Sequence, residues 1–284
     1  MNCYLCNNDL SFQAELIAES YEMRWNAYNK ENIIVKCTYC GLTQLIPQWT
    51  SEELKQIYSR YSKKEDFKGQ CIKEHDFPIY IDNYLKENDT ILEVGCSFGN
   101  NVFRLKELGY KIFGIDKDPS VCDEKTIFNL DISILKQEEY KNTFNIIFGI
   151  HLLEHLNNPI EFINNCYSSL KSKGKLILEI PNIEDPLLTL YKNKAFNNFY
   201  WIPDHSFFYI PSTIKNIIIE TKFNEYKIIR KQRYGLINHL NWFYRNKPTN
   251  NIFDIDIIDA IYKWFLCKIL KKSDTLILIL EKGK

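Results

Sequence analysis

Residues 91–100 read Ile91-Leu92-Glu93-Val94-Gly95-Cys96-Ser97-Phe98-Gly99-Asn100. An apolar run ends at an acidic residue, two glycines follow four positions apart, and a helical pattern opens at Asn100. This is the signature of a buried strand turning sharply into a helix. Gly95 and Gly99 admit backbone conformations that other residues resist, so a ligand can approach the main chain there. The spacing excludes the Gly-x-Gly-x-x-Gly dinucleotide pattern, and no Gly-Lys-Ser/Thr follows to make a P-loop.

Downstream, strand and helix periods alternate. Strands are expected at 90–94, 111–115, 127–130, 144–149, 175–180, 225–233 and 274–281, and helices near 100–108, 159–171 and 211–222. Short apolar strands alternating with helices imply an α/β fold whose sheet is mostly parallel and covered on both faces. Ligands of such sheets lie beyond the carboxyl ends of the strands, beside the first strand. Asp116 ends the second strand in Phe113-Gly114-Ile115-Asp116, where a carboxylate suits the hydroxyls of a ribose. Only ten residues separate Asp116 from Ile127. They allow a single helical turn over 119–125, which leaves one side of the ligand crevice thinly covered.

The 284 residues include nine cysteines, and four of these form two Cys-x-x-Cys pairs, Cys3/Cys6 and Cys37/Cys40. With no secretory signal at the N-terminus, such pairs read as a tetrahedral four-thiolate zinc site rather than as disulfides. Four thiolates leave no open position, so the zinc is structural. Residues 1–45 are expected to be a zinc ribbon with strand-like stretches at 21–25 and 33–36. Residues 46–89 are expected to be a helical linker, opened by a capping arrangement at Thr50–Glu53. The remainder, 90–284, is one large domain, with a lid loop over 182–210 and a helical insert over 236–272.

Together these residues resemble the class I S-adenosylmethionine (AdoMet)-dependent methyltransferases. The family motif is acidic-x-Gly-x-Gly-x-Gly, and the chain carries Glu93, Gly95, Ser97 and Gly99, with Ser for the middle glycine. The resemblance implies a seven-stranded Rossmann-like sheet. It also implies that Glu93 and the glycine turn hold the methionine end, Asp116 the ribose and Asp131 the adenine amino group. The stretch 144–159, with its Leu153-Glu154-His155 segment, matches the fourth strand and its continuation, and 174–182 matches the fifth. His151 falls there as a cofactor-lining residue, while Glu154 and His155 read as capping, packing or cofactor-shaping groups. The N-terminal cysteines, Asp204–Ile214 and Asn238–Trp242 are similar to bacterial enzymes that modify sugars or surface polysaccharides.

The expectation that follows is a cytoplasmic AdoMet-dependent methyltransferase acting on a small molecule, a sugar or nucleotide-linked sugar. His205 would be the proton acceptor and His239 the reserve. The alternatives are a zinc-ribbon rRNA or tRNA methyltransferase and a non-catalytic AdoMet-binding protein. Charge argues against nucleic acid: 36 Lys+Arg balance 36 Asp+Glu, and residues 1–60 are net acidic. No Asn-Pro-Pro-Tyr-like motif for exocyclic amines follows the fourth strand. No apolar run reaches membrane-span length. The aromatic, Ile-rich insert at 236–272 reads as a substrate cap or a homodimer face. The basic run 227–233 reads as a strand with a solvated face.

Overall fold

The computed structural model describes residues 1–19, 32–50, 52–54, 79–123, 125–248 and 256–284. The strand expected at 21–25, most of the linker helices, Cys71 and His75 lie outside the described residues.

Near the N-terminus, β1 (Ala14–Ala18), β2 (Ile33–Cys37) and β3 (Thr43–Ile46) form an antiparallel sheet. Its fourth strand, β9 (Phe207–Phe208), comes from far along the chain and pairs with β3. Thr50 and Glu53 make the expected reciprocal cap: the Thr50 amide donates to Glu53 Oε2 at 2.7 Å, and the Glu53 amide to Thr50 Oγ1 at 3.3 Å.

The large sheet has seven strands: β4 (Thr90–Val94), β5 (Lys111–Asp116), β6 (Ile127–Asn129), β7 (Phe144–Ile150), β8 (Leu170–Pro181), β10 (Glu225–Lys231) and β11 (Thr275–Glu281). Their order is β10-β11-β8-β7-β4-β5-β6. β4 to β8 run parallel, and β11 runs antiparallel to both of its neighbours. This bears out the α/β, mostly parallel architecture. Side chains alternate between two apolar faces, as burial on both sides demands. Leu92, Val94, Ile147, Leu178 and Leu278 belong to one core cluster, and Ile91, Ile146, Phe148, Ile177 and Ile277 to the other.

Helices cover those faces. α1 (Asn100–Glu107) buries Val102 and Leu105 with the second cluster. α2 (Pro159–Ser169) buries Phe162, Ile163 and Cys166 with the first. Its start is set by Pro159 in the first turn and by Asn158, whose side chain accepts from the Glu161 amide. Between β8 and β9 the chain is not a bare loop. It holds α3 (Lys194–Tyr200), which packs Phe196 against Trp242. α4 (Pro211–Ile219) returns to the sheet. The C-terminal helices α5 (Leu236–Arg245) and α6 (Asp256–Trp264) form the expected helical pair. α5 packs through Trp242 on the 187–200 segment. Between β5 and β6 the described residues form one short turn, Pro119–Val121, as the ten-residue spacing requires.

β4 sits between β5 and β7, where the strand order reverses and a crevice opens beyond the strand end. Gly99 is the tightest point of that turn. Its φ is +71°, and a Cβ there would lie 2.1 Å from Ile127 Cδ1 on the buried start of β6. Gly99→Ala is therefore expected to destabilise the fold by about 2–3 kcal/mol, combining left-handed backbone strain with overpacking. Urea unfolding of variant and wild type checks this, and equal midpoints would show that β6 gives way freely.

Candidate active site at the carboxyl ends of the strands

Three residues of the turn after β4 adopt left-handed backbone: Gly95 (φ +70°), Ser97 (+48°) and Gly99 (+71°). A serine at +48° shows why glycine suits that position. The turn is pinned from β5, because the Ser97 amide donates to Asp116 Oδ2 at 2.8 Å and the Asp118 amide to Oδ1 at 2.9 Å. Each carboxylate oxygen keeps lone-pair capacity for a further donor.

Glu93 is 2% exposed at the end of β4. Asn101 Nδ2 donates to its Oε1 at 2.7 Å, while Oε2 is buried with no hydrogen-bond partner. Burial pushes this carboxyl up to about 8, against the Asn101 bond and with help from the Asp116 charge. An orphaned, desolvated carboxylate oxygen beside a ligand crevice is a seat for a cationic group. Asp131 is more exposed. It caps the Ile132–Lys136 turn through the Ser133 amide and pairs with Lys117 at 3.2 Å. Burial works to raise its pKa, but those two partners hold it below the ordinary value.

Next to this crevice lies a charged cluster in which His151 and Glu154, singled out from the sequence, meet Arg233, Glu179 and Asp274, which were not. His151, left-handed at φ +52° after β7, accepts from Arg233 Nη1 at 2.7 Å through Nε2. Its Nδ1–H donates to Glu154 Oε1 at 3.3 Å. Arg233 also faces Glu179 at 3.5 Å, and its backbone amide donates to the Asp274 carboxylate. Glu179, on β8, accepts from the Tyr80 hydroxyl at 2.7 Å and faces Lys231 at 3.5 Å. Burial works against ionising Glu179, yet Arg233, Lys231 and Tyr80 keep it below its usual range. Arg233 is half-buried in this network, which corrects the solvated face expected for 227–233. The signal available was a set of charges at three strand ends; only the register of β8, β10 and β11 shows that they meet.

The two histidines expected to act as bases do not share a site. His239, on α5, is 2% exposed, with Nδ1 at 2.5 Å from the Tyr262 hydroxyl and Nε2 at 3.3 Å from Gln232 Nε2. Gln232 Nε2 spends its two hydrogens on Asp274 Oδ2 at 2.8 Å and the Tyr234 carbonyl at 3.0 Å, so His239 is held by burial and by the Tyr262 hydroxyl. His239 therefore reads as a packing residue. His205 lies before β9, buried edge-on to His155 at 4.7 Å between ring centroids, and burial lowers its pKa to about 4. That makes it a weak base at neutral pH.

The four N-terminal cysteines also converge. Their sulfurs all lie within 4.8 Å of one another, with Cys3–Cys40 at 3.5 Å and Cys6–Cys37 at 3.6 Å, and all four are free thiols.

A family model described as a methyltransferase domain matches residues 40–225. The chain belongs to this methyltransferase-domain family. Its fold is that of a solved SAM-dependent methyltransferase from Archaeoglobus fulgidus, with a TM-score of 0.56 at 23% identity over 79% of this chain and 99% of that one. Among curated proteins, a tRNA U34 carboxymethyltransferase of Helicobacter pylori strain HPAG1 is 30% identical over 43% of this chain and 53% of its own length. The alignment thus spans about half of that relative. One of the same name from Nautilia profundicola is 26% identical over 88% of this chain and 91% of its own length. These relatives are named for tRNA, not for sugars. They overturn the expected sugar or nucleotide-sugar acceptor, and with it the polysaccharide role and the exclusion of nucleic acid.

For this methyltransferase-domain protein, Glu93 gives a test independent of any acceptor. Its folded pKa, about 8, lies above the ordinary 4.5, so the folded state holds a proton that the unfolded chain has lost between those values. Stability contributed by the neutral carboxyl is present below about pH 4.5 and is lost as pH rises toward 8. Glu93→Gln is neutral at every pH. It is expected to match wild type near pH 5 and to exceed it at pH 8 by on the order of 2–4 kcal/mol. Denaturant unfolding at the two pH values checks this; a gap that does not grow with pH would mean that Glu93 is solvated.

Proposed function

We propose that this chain transfers a methyl-derived group from an AdoMet-type sulfonium to a tRNA base, with uridine 34 as the acceptor position. The observation that carries this reading is the alignment with the Nautilia profundicola relative, which extends well beyond residues 40–225 and covers nearly the whole of that protein. When bound, the sulfonium supplies an electrophilic carbon activated by its positive charge. Glu93, with its orphaned Oε2, suits the cationic methionine end. Asp116 retains acceptor capacity for the ribose hydroxyls, and Asp131 would meet the adenine amino group. His151 would line the crevice, oriented by Arg233 and Glu154. Alignment of the two reactants in a closed crevice is the main contribution such a site makes to an in-line displacement.

Neutral net charge does not oppose tRNA binding, because the charges are segregated along the chain. Residues 234–273 hold six Lys and Arg against three Asp. Exposed aromatics stand among them, including Tyr244 at 82% and Trp264 at 56% exposure. Basic groups interleaved with exposed rings are what phosphate contact and base stacking require. The segment expected to be a cap or dimer face is thus read as an RNA-facing surface. For the four cysteines we retain structural zinc: a tetrahedron with Zn–S near 2.3 Å has edges of about 3.8 Å, close to the sulfur separations observed.

The direct test incubates the protein with AdoMet and, separately, a carboxymethyl sulfonium analogue, using tRNA from cells lacking the gene. Nucleosides are then read by mass. A modified uridine in either reaction supports the proposal, and unmodified tRNA in both sinks it. Asp116→Ala should weaken AdoMet binding by about ten- to a hundredfold through loss of a charged acceptor, with the fold intact by circular dichroism. Unchanged affinity by calorimetry would place the ribose elsewhere. Arg245→Glu with Lys268→Glu, both at exposed positions, should weaken tRNA binding across sequences. The change should also lower the slope of log affinity against log salt by roughly 0.7–0.9 for each phosphate no longer neutralised. A slope equal to wild type would clear this surface of any role in holding RNA.

A further inference from the structure

Glu154, His155 and His205 meet where the Leu153–His155 turn after β7 packs against the segment entering β9. One ligand atom from each lies within 4.8 Å of the others. Glu154 is 1% exposed and uses one oxygen on His151; its Oε2 is buried with no hydrogen-bond partner. The adjoining Asp204 likewise buries an Oδ1 with no partner. Two desolvated carboxylate oxygens without donors, beside two imidazoles, make a locale short of positive charge. His205 makes no side-chain hydrogen bond among the described residues, and it stands edge-on to His155.

The surroundings are those of a held ligand set. His155 Nδ1 lies 3.1 Å from the Asp204 carbonyl, the kind of bond that fixes the tautomer and plane of a metal-bound imidazole. His151 does the same for the Glu154 carboxylate. The two ligand-bearing segments are tied together by the Ser206 amide donating to the Glu154 carbonyl at 2.7 Å and by the Ser206 hydroxyl donating to Asn157 Oδ1 at 2.6 Å. The Tyr209 hydroxyl adds a bond to the Leu153 carbonyl at 3.2 Å.

We propose that Glu154, His155 and His205 bind a divalent transition-metal ion, zinc or one of similar preference, at a site separate from the four cysteines. Two imidazoles and a carboxylate give three ligands with a coordination position left over, the donor set of catalytic rather than closed structural sites. The ion would clamp the segment before β9 onto the turn after β7.

The test uses the full chain purified without chelator, loaded with cobalt(II) or zinc and analysed for bound metal. Two ions per chain are expected. His205→Asn and Glu154→Gln should each lose one ion while keeping the sulfur-to-cobalt charge-transfer band of the cysteine cluster. Cys37→Ser should lose that band while keeping the weaker visible bands of cobalt held by nitrogen and oxygen. A second ion that survives both His205→Asn and Glu154→Gln overturns the proposal. Should either variant lose its fold, the wild-type cobalt spectrum decides: nitrogen and oxygen ligation beside sulfur supports the site, and a sulfur-only spectrum overturns it.

Discussion

The bond from the Ser97 amide to the Asp116 carboxylate is the constraint from which the crevice follows. It closes the turn after β4 against the end of β5, along a path in which the alternate positions 95, 97 and 99 all take left-handed backbone. That path carries the chain into α1. It also leaves Glu93 beneath the turn, sealed from water and short of one partner. A carboxyl whose pKa is pushed up to about 8 by desolvation gains more from an adjacent cation than a solvated one would, because the cation restores the stabilisation that burial removed.

The large sheet was legible because its strands are apolar on both faces and punctuated by helices, so period and length decide them locally. Even the shortened connection after β5 was countable, and it is the single turn Pro119–Val121. The small sheet was only partly legible. β2 reads from Ile33-Ile34-Val35, but β3 is completed by Phe207–Phe208, more than a hundred and fifty residues away, and no local pattern announces such a pairing. The site divided in the same way. Glu93, the glycines and Asp116 lie on one strand–turn–helix unit and its neighbour, so spacing found them. Arg233, Glu179 and Asp274 are charges at the ends of three different strands, and a basic run such as 227–233 looks solvated until β11 is seen to run between β10 and β8.

Charge misled for a related reason. A net charge of zero averages an acidic N-terminal stretch with a basic C-terminal insert, whereas a polyanion responds to the field within about one Debye length, roughly 8–10 Å. The insert is also where aromatic side chains remain exposed after folding, which a folded chain tolerates more readily when they have a partner. Whole-chain composition excludes a uniformly basic protein; it says nothing about a basic surface on a neutral one.

The small sheet that carries Cys37 is linked to the crevice by a chain of bonds. β3 pairs with β9, the Trp49 indole donates to the Pro203 carbonyl, and Asn157 donates to the Trp49 carbonyl. The small sheet therefore grips the segment 203–208, and that segment is in turn tied to the turn after β7 through Ser206 and Tyr209. The turn after β7 carries Glu154, which orients His151, which holds Arg233 against the strand ends. Each link is a hydrogen bond or a strand pairing between packed elements, so the cysteine module acts as a buttress. Through those links the small sheet is tied to His151 and Arg233 beside the crevice.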